Sequence, residues 1–128
     1  MSRVKRMGFA MWLALAGIVA PVLARDADAD FAAFLARWRA AVAANDADAI
    51  ARMTQAPFLY EGRGRDREGV ARVAVPALMT PEVRRCLRTA VPVREDDRHV
   101  LFCAPYLFYF AQVDGQWRWV EFTADGEA

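Results

Sequence analysis

Residues 100–122 read VLFCAPYLFYFAQVDGQWRWVEF, and this stretch decides the fold. From Val100 to Val113 it is dense in β-forming side chains, among them Phe102, Tyr106, Phe108, Tyr109 and Phe110. Asp114-Gly115 between two such runs is the signature of a two-residue hairpin turn. On the returning strand Trp117, Trp119 and Glu121 alternate with Arg118, Val120 and Phe122. Ala104-Pro105 interrupts the first run, and a proline there predicts a bulge or an edge. A strand apolar on both faces cannot leave one side to water. It needs helices on at least one face, and other strands or a partner elsewhere.

Working back toward the N-terminus, residues 91–94 predict a short strand and Glu95-Asp96-Asp97 a polar turn. Thr80-Pro81-Glu82 has the order of a helix start, with Thr as N-cap, Pro at the first position and an acid in the first turn. That helix is expected to reach about Ala90, with Val83, Cys86 and Leu87 on one side. A further helical stretch covers residues 67–79, bent or ended by Pro76. Before it, Phe58-Leu59-Tyr60-Glu61 predicts a short strand, and Gly62-Arg63-Gly64-Arg65-Asp66 an arginine-rich turn. The turn lacks the Gly-Lys-Ser/Thr ending of a phosphate loop and does not match a dinucleotide fingerprint.

Phe31, Phe34, Leu35, Trp38 and Val42 recur at helical spacing behind Asp30, which is placed to cap them. Asn45 and Asp46 then stop one helix and start the next, which carries Ile50, Ala51 and Met53 and ends before Pro57. Helices first and strands last predict an α+β class, with N-terminal helices packed on a curved antiparallel sheet.

Residues 1–24 have the pattern of a cleaved export signal. Arg3, Lys5 and Arg6 precede an uncharged run from Met7 to Ala24 that ends Val22-Leu23-Ala24, small enough for a signal peptidase. Pro21 breaks the run as a helix, and the run is too short and too interrupted for a stable membrane span. No cysteine follows it and no paired arginines precede it, which disfavours a lipid anchor and a twin-arginine route. Residues 25–30 are then a flexible acidic leader, 31–124 a single domain and 125–128 a tail. The location predicted is periplasmic or secreted.

The chain of 128 residues carries 17 Lys+Arg, 16 Asp+Glu and one His, a formal charge of +1. Removing residues 1–24 takes three basic groups with it, so the exported part is slightly acidic and its cationic side chains are all arginine. Nothing in that balance predicts a nucleic-acid partner. One His and two Cys cannot furnish a four-ligand His/Cys zinc site, and no cofactor is implied. Cys86 and Cys103 both fall in the exported part, where an oxidising compartment favours a structural disulfide over two buried thiols. Their spacing is unlike that of a redox Cys-x-x-Cys.

The order of elements, the opening Ala41-Val42-x-x-Asn45-Asp46 with Ile50 and Pro57-Phe58, and the ending Tyr109-Phe110-x-x-Val113-Asp114-Gly115-Gln116-Trp117-Arg118-Trp119 resemble the nuclear transport factor 2-like superfamily. That resemblance implies a cone in which helices and a curved sheet enclose a pocket. It implies no particular reaction, because members include isomerases, dehydratases and cyclases beside domains that only bind.

Three readings of function follow. In the first, the exported domain is a non-enzymatic module for a small apolar molecule or a partner protein. Tyr60, Tyr106, Tyr109, Trp117 and Trp119 are the candidate lining, and a homodimer through the sheet is a further expectation. In the second, it is a small isomerase- or cyclase-type enzyme with Glu61, Asp66 or His99 as general base and a tyrosine as hydrogen-bond donor. In the third, it is an exported inhibitor or immunity-type protein acting through Arg63, Arg65 and Arg67, or Arg84 and Arg88, which can grip carboxylates or phosphates bidentately.

Overall fold

In the computed structural model the backbone is described for residues 19–124, with side chains from residue 28 onward. The basic start and most of the apolar run of the expected export signal, and the tail 125–128, lie outside the described residues. The chain divides between Ala33 and Phe34 into two units. The described part of the first is the beginning of helix α1 (Val19–Ala43). The second unit holds the rest of α1 and every later element.

Helix α1 runs through both Pro21 and Asp30, so Pro21 breaks nothing and Asp30 is not its cap. The acidic stretch 25–30 is helical, because the alanines between its aspartates are the best helix formers there are. At the other end Asn45 adopts a left-handed conformation with φ of 54°. Its N–H donates to the Val42 carbonyl, and that of Asp46 to Ala41, which is the paired closure of a Schellman turn. Asp46 at once becomes the N-cap of α2 (Ala47–Arg52), accepting from the Ala49 N–H at 3.1 Å.

Strands β1 (Phe58–Tyr60) and β2 (Arg63–Arg65) form a hairpin, so the arginine-rich segment is half turn and half strand. Asp66 caps α3 (Arg67–Gly69) by accepting from the Gly69 N–H at 2.8 Å. The chain then widens into a π-helical turn, Val70–Ala74, before α4 (Val75–Leu78). Pro76 explains the widening. It has no N–H for the carbonyl four residues back and its ring crowds that carbonyl, and the Val75 N–H instead reaches the Val70 carbonyl. Helix α5 (Pro81–Leu87) has Thr80 as its N-cap and stops short of Ala90. The carbonyls just past its end are held from α1, where Arg39 donates to those of Arg88, the C-cap, and Ala90, each at 2.6 Å. Burial there pulls the Arg39 guanidinium below its ordinary value.

Four antiparallel strands follow in simple succession: β3 (Val93–Glu95), β4 (Arg98–Cys103), β5 (Tyr106–Val113) and β6 (Gln116–Ala124). Ala104-Pro105 is neither bulge nor edge. It is the tight connection between β4 and β5, where a proline costs the ladder nothing. Asp114 and Gly115, with φ of 52° and 79°, make the expected turn into β6.

The strict alternation expected along β6 fails at one point. The register passes from Tyr109 opposite Glu121 to Phe110 opposite Trp119, leaving Val120 as an extra residue in a bulge. Trp119 and Phe122 thereby share the inner face with Phe110 and Phe108, while Glu121 turns outward. The Trp119 backbone also leaves the sheet in plane: its N–H donates to the Met53 carbonyl and its carbonyl accepts from the Gln55 N–H.

From Phe34 onward, α1 covers the inner face of this sheet. Trp38 is completely buried and meets Phe110 edge-on at 4.9 Å between ring centroids, with Phe108 and Trp119 at 6.0 and 5.9 Å. Phe58 closes on Trp119 at 4.6 Å. Such offset and edge-to-face pairs add about 0.5–1.5 kcal/mol each beyond the area they bury. Cys86 and Cys103 are joined, their Cα atoms 5.8 Å apart, and the bridge ties α5 to the end of β4. The class is α+β, as the order of elements predicts. No described helix is long and apolar enough to cross a membrane.

Candidate functional site

The three general-base candidates come to three separate places. Glu61 is the left-handed turn residue between β1 and β2, with φ of 54°, and its exposed carboxylate lies 3.6 Å from Arg65. Asp66 is occupied as the α3 cap and is exposed. His99 is half-buried on the inner face of β4, edge-on to Trp117 at 5.3 Å. Glu61 belongs instead with Tyr60 and Tyr106 near the other end of β4, about 13 Å away at ~3.3 Å per residue. An acid and a base matched to one substrate atom need to lie within hydrogen-bond reach of it, and these residues do not converge.

The five aromatic candidates separate as well. Trp119 is completely buried, so it belongs to the core and cannot line an accessible site. Tyr109 faces outward beneath the Arg98 guanidinium, 4.3 Å from the ring centroid, and Arg98 also pairs with Glu121 at 2.9 Å. Trp117 accompanies His99. Only Tyr60 and Tyr106 come together, both half-buried and each 5.8 Å from the Phe122 ring. Desolvation raises the Tyr60 hydroxyl above its ordinary pKa, with Glu61 and Tyr106 adding to the effect and Arg65 opposing it. The hydroxyl is therefore neutral, and nothing there makes it a base.

Accessible space lies instead on the far side of the sheet and at one end of it. A groove of about 400 Å³ runs over the outer face, between the end of α5 and strands β3, β4 and β5. Val91, Val93, Val100, Phe102 and Leu107 line it, together with Thr89 and Ala90. Of these, Val91 is 79% exposed, Val93 63% and Phe102 53%. Val93 stands directly opposite Val100, and Phe102 opposite Leu107, so the ladder itself sets the apolar surface. The groove was missed because its residues come from segments read separately. Its only sequence signal is that the long strand run is apolar on both faces.

The second recess, about 460 Å³, is polar. Thr54, Gln55, Arg67, Asp114, Gln116 and Arg118 line it, where the segment after α2 meets the start of α3 and the β5–β6 turn. Among the described residues no group of His, Cys, Asp and Glu side chains could hold a metal ion. No protein-family model, no curated protein and no solved structure matches this chain.

Proposed function

We propose that this chain is an exported, non-enzymatic binding module whose docking site is the apolar groove on the outer face of the sheet. The observation that carries this reading is that Val91, Val93 and Phe102, all more than half exposed, gather around one groove on a rigid ladder. Water contact with clustered apolar side chains is unfavourable by about 25 cal/mol per Å², and a contiguous patch of this kind marks a binding surface. The groove is at the small end of the range for ligand sites and suits a small apolar molecule or an apolar side chain of a partner protein.

The interior supports the same reading. Where a cone-shaped enzyme of this order would keep a chamber, Trp38, Phe58, Phe108, Phe110 and Trp119 fill the space between helix and sheet. Kinship with the nuclear transport factor 2-like superfamily is part of the proposal, supported by helices followed by an antiparallel sheet. Export rests on Arg3, Lys5, Arg6 and the uncharged run behind them, and the Cys86–Cys103 bridge fits an oxidising compartment.

The test is a titration with 1-anilinonaphthalene-8-sulfonate, which fluoresces on apolar surfaces. The native chain is expected to bind it saturably, and Phe102→Ser with Val93→Thr to lose most of the signal while keeping its melting temperature. A native chain without signal, or variants that match it, would overturn the groove as the docking site.

A further inference from the structure

We infer that the polar recess at the β5–β6 turn is a second, separate binding site, for a small organic oxyanion held by Arg67 and Arg118. Arg118 is held in place before any ligand arrives. One terminal nitrogen donates to the Arg52 carbonyl at the end of α2, and the other donates to Gln116 Oε1 at 2.8 Å. A guanidinium has five N–H groups, so these two bonds leave three, and its half-buried position keeps them oriented. Arg67, the first residue of α3, reaches the same recess, and among the described residues its guanidinium has no hydrogen-bond or ion-pair partner, its backbone carbonyl alone accepting from the Val70 N–H.

Charge decides the ligand class. Two arginines against one acid, Asp114, leave the lining net positive, and neither arginine is within ion-pair distance of that acid. Arg65, Arg72 and Arg98 have carboxylates beside them, Glu61, Glu68, and Glu95 with Glu121. Among the described residues Arg67 and Arg118 have none, and unlike the other unpaired arginines they share one recess, where an external anion can supply the neutralising group. Carboxylates and phosphates both match the planar fork of a guanidinium, and Gln55 and Gln116 can serve the remaining polar atoms of an organic anion. Asp114 repels a dianion more than a monoanion and so favours a monocarboxylate over hydrogen phosphate.

The experiment is isothermal titration of the full exported chain with sodium lactate, a hydroxy monocarboxylate, and, separately, with inorganic phosphate, against sodium chloride at matched ionic strength. Saturable heat with lactate is expected, with weaker or no response to phosphate. Arg67→Gln, an exposed change that touches no packing, should weaken the response about tenfold or more, as the loss of a charge-assisted contact does. Asp114→Asn should narrow the gap between lactate and phosphate. Saturation by phosphate alone, lost in Arg67→Gln, keeps the oxyanion site and assigns it to phosphate esters. No saturation with either anion, or saturation that Arg67→Gln leaves unchanged, overturns the proposal. Because the outer-face groove contains neither arginine, its failure and the failure of this site are read independently.

Discussion

The inner and outer faces of the same sheet are built from alternate residues of the same strands, yet they solve opposite problems. On the inner face Leu101, Phe108, Phe110 and Trp119 are all fully buried, and Trp38 from α1 locks against three of their rings. On the outer face one half is dressed with polar contacts, Arg98 over Tyr109 and against Glu121. The other half leaves Val93 and Phe102 in contact with water. Stability is concentrated on one side and accessible apolar surface on the other. Substitutions on the two faces should therefore have unlike consequences.

The widest separation is expected from Trp38→Ala, which empties the site where α1 meets the sheet. Losses on truncating such residues run to about 3–5 kcal/mol, and denaturant unfolding measures them directly. A loss under about 1 kcal/mol would mean that the inner face is not the stabilising one. Next comes the bridge that joins the two sides, since Cys86 lines the groove and Cys103 is fully buried. Replacing both by Ala releases a closed loop with a sequence separation of 17 and should cost about 3 kcal/mol. Mass spectrometry without reductant should find no alkylatable thiol in the native chain.

Phe102→Ser should change stability by less than about 0.5 kcal/mol, as exposed positions usually do, while weakening the dye response. The smallest effect concerns Tyr60. Its folded pKa is raised, so above pH 10 the unfolded chain loses that proton first. The unfolded state then binds fewer protons than the native one, and stability should fall as pH rises beyond 10. Tyr60→Phe should flatten that part of the pH profile, and an unchanged slope would show that the hydroxyl is not desolvated.

Local chemistry was legible in the sequence and long-range register was not. Asp114-Gly115, Asp46 and Thr80 act as their residue types predict, because a turn or cap is decided within four residues. The stripe Phe34, Leu35, Trp38 and Val42 is buried as its spacing implies. The bulge at Val120 has a faint trace, since Trp-Arg-Trp-Val-Glu-Phe alternates apolar and polar side chains except at Trp119-Val120, a break that strict alternation passes over. Strand β2 was hidden by two glycines, which disfavour strands. At one of them a side chain would be crowded, because a Cβ on Gly64 would lie 3.1 Å from that of Pro57, just before β1. The candidate sites were the least legible. Arg67 stood out as one of an arginine series and Arg118 as one strand residue among others. Only folding brings them to one recess with Gln55 and Asp114.

The in-plane bonds of the Trp119 backbone have one more consequence. A strand whose N–H and C=O are already taken by Met53 and Gln55 offers no template at that point for another chain. On the four-stranded ladder β6 is therefore interrupted at Trp119, while β3 forms the opposite border with three exposed residues. Pairing between copies of this ladder meets that interruption on β6 and none on β3. A two-fold pair formed through β3 uses the same border of both copies and is closed instead of a ribbon.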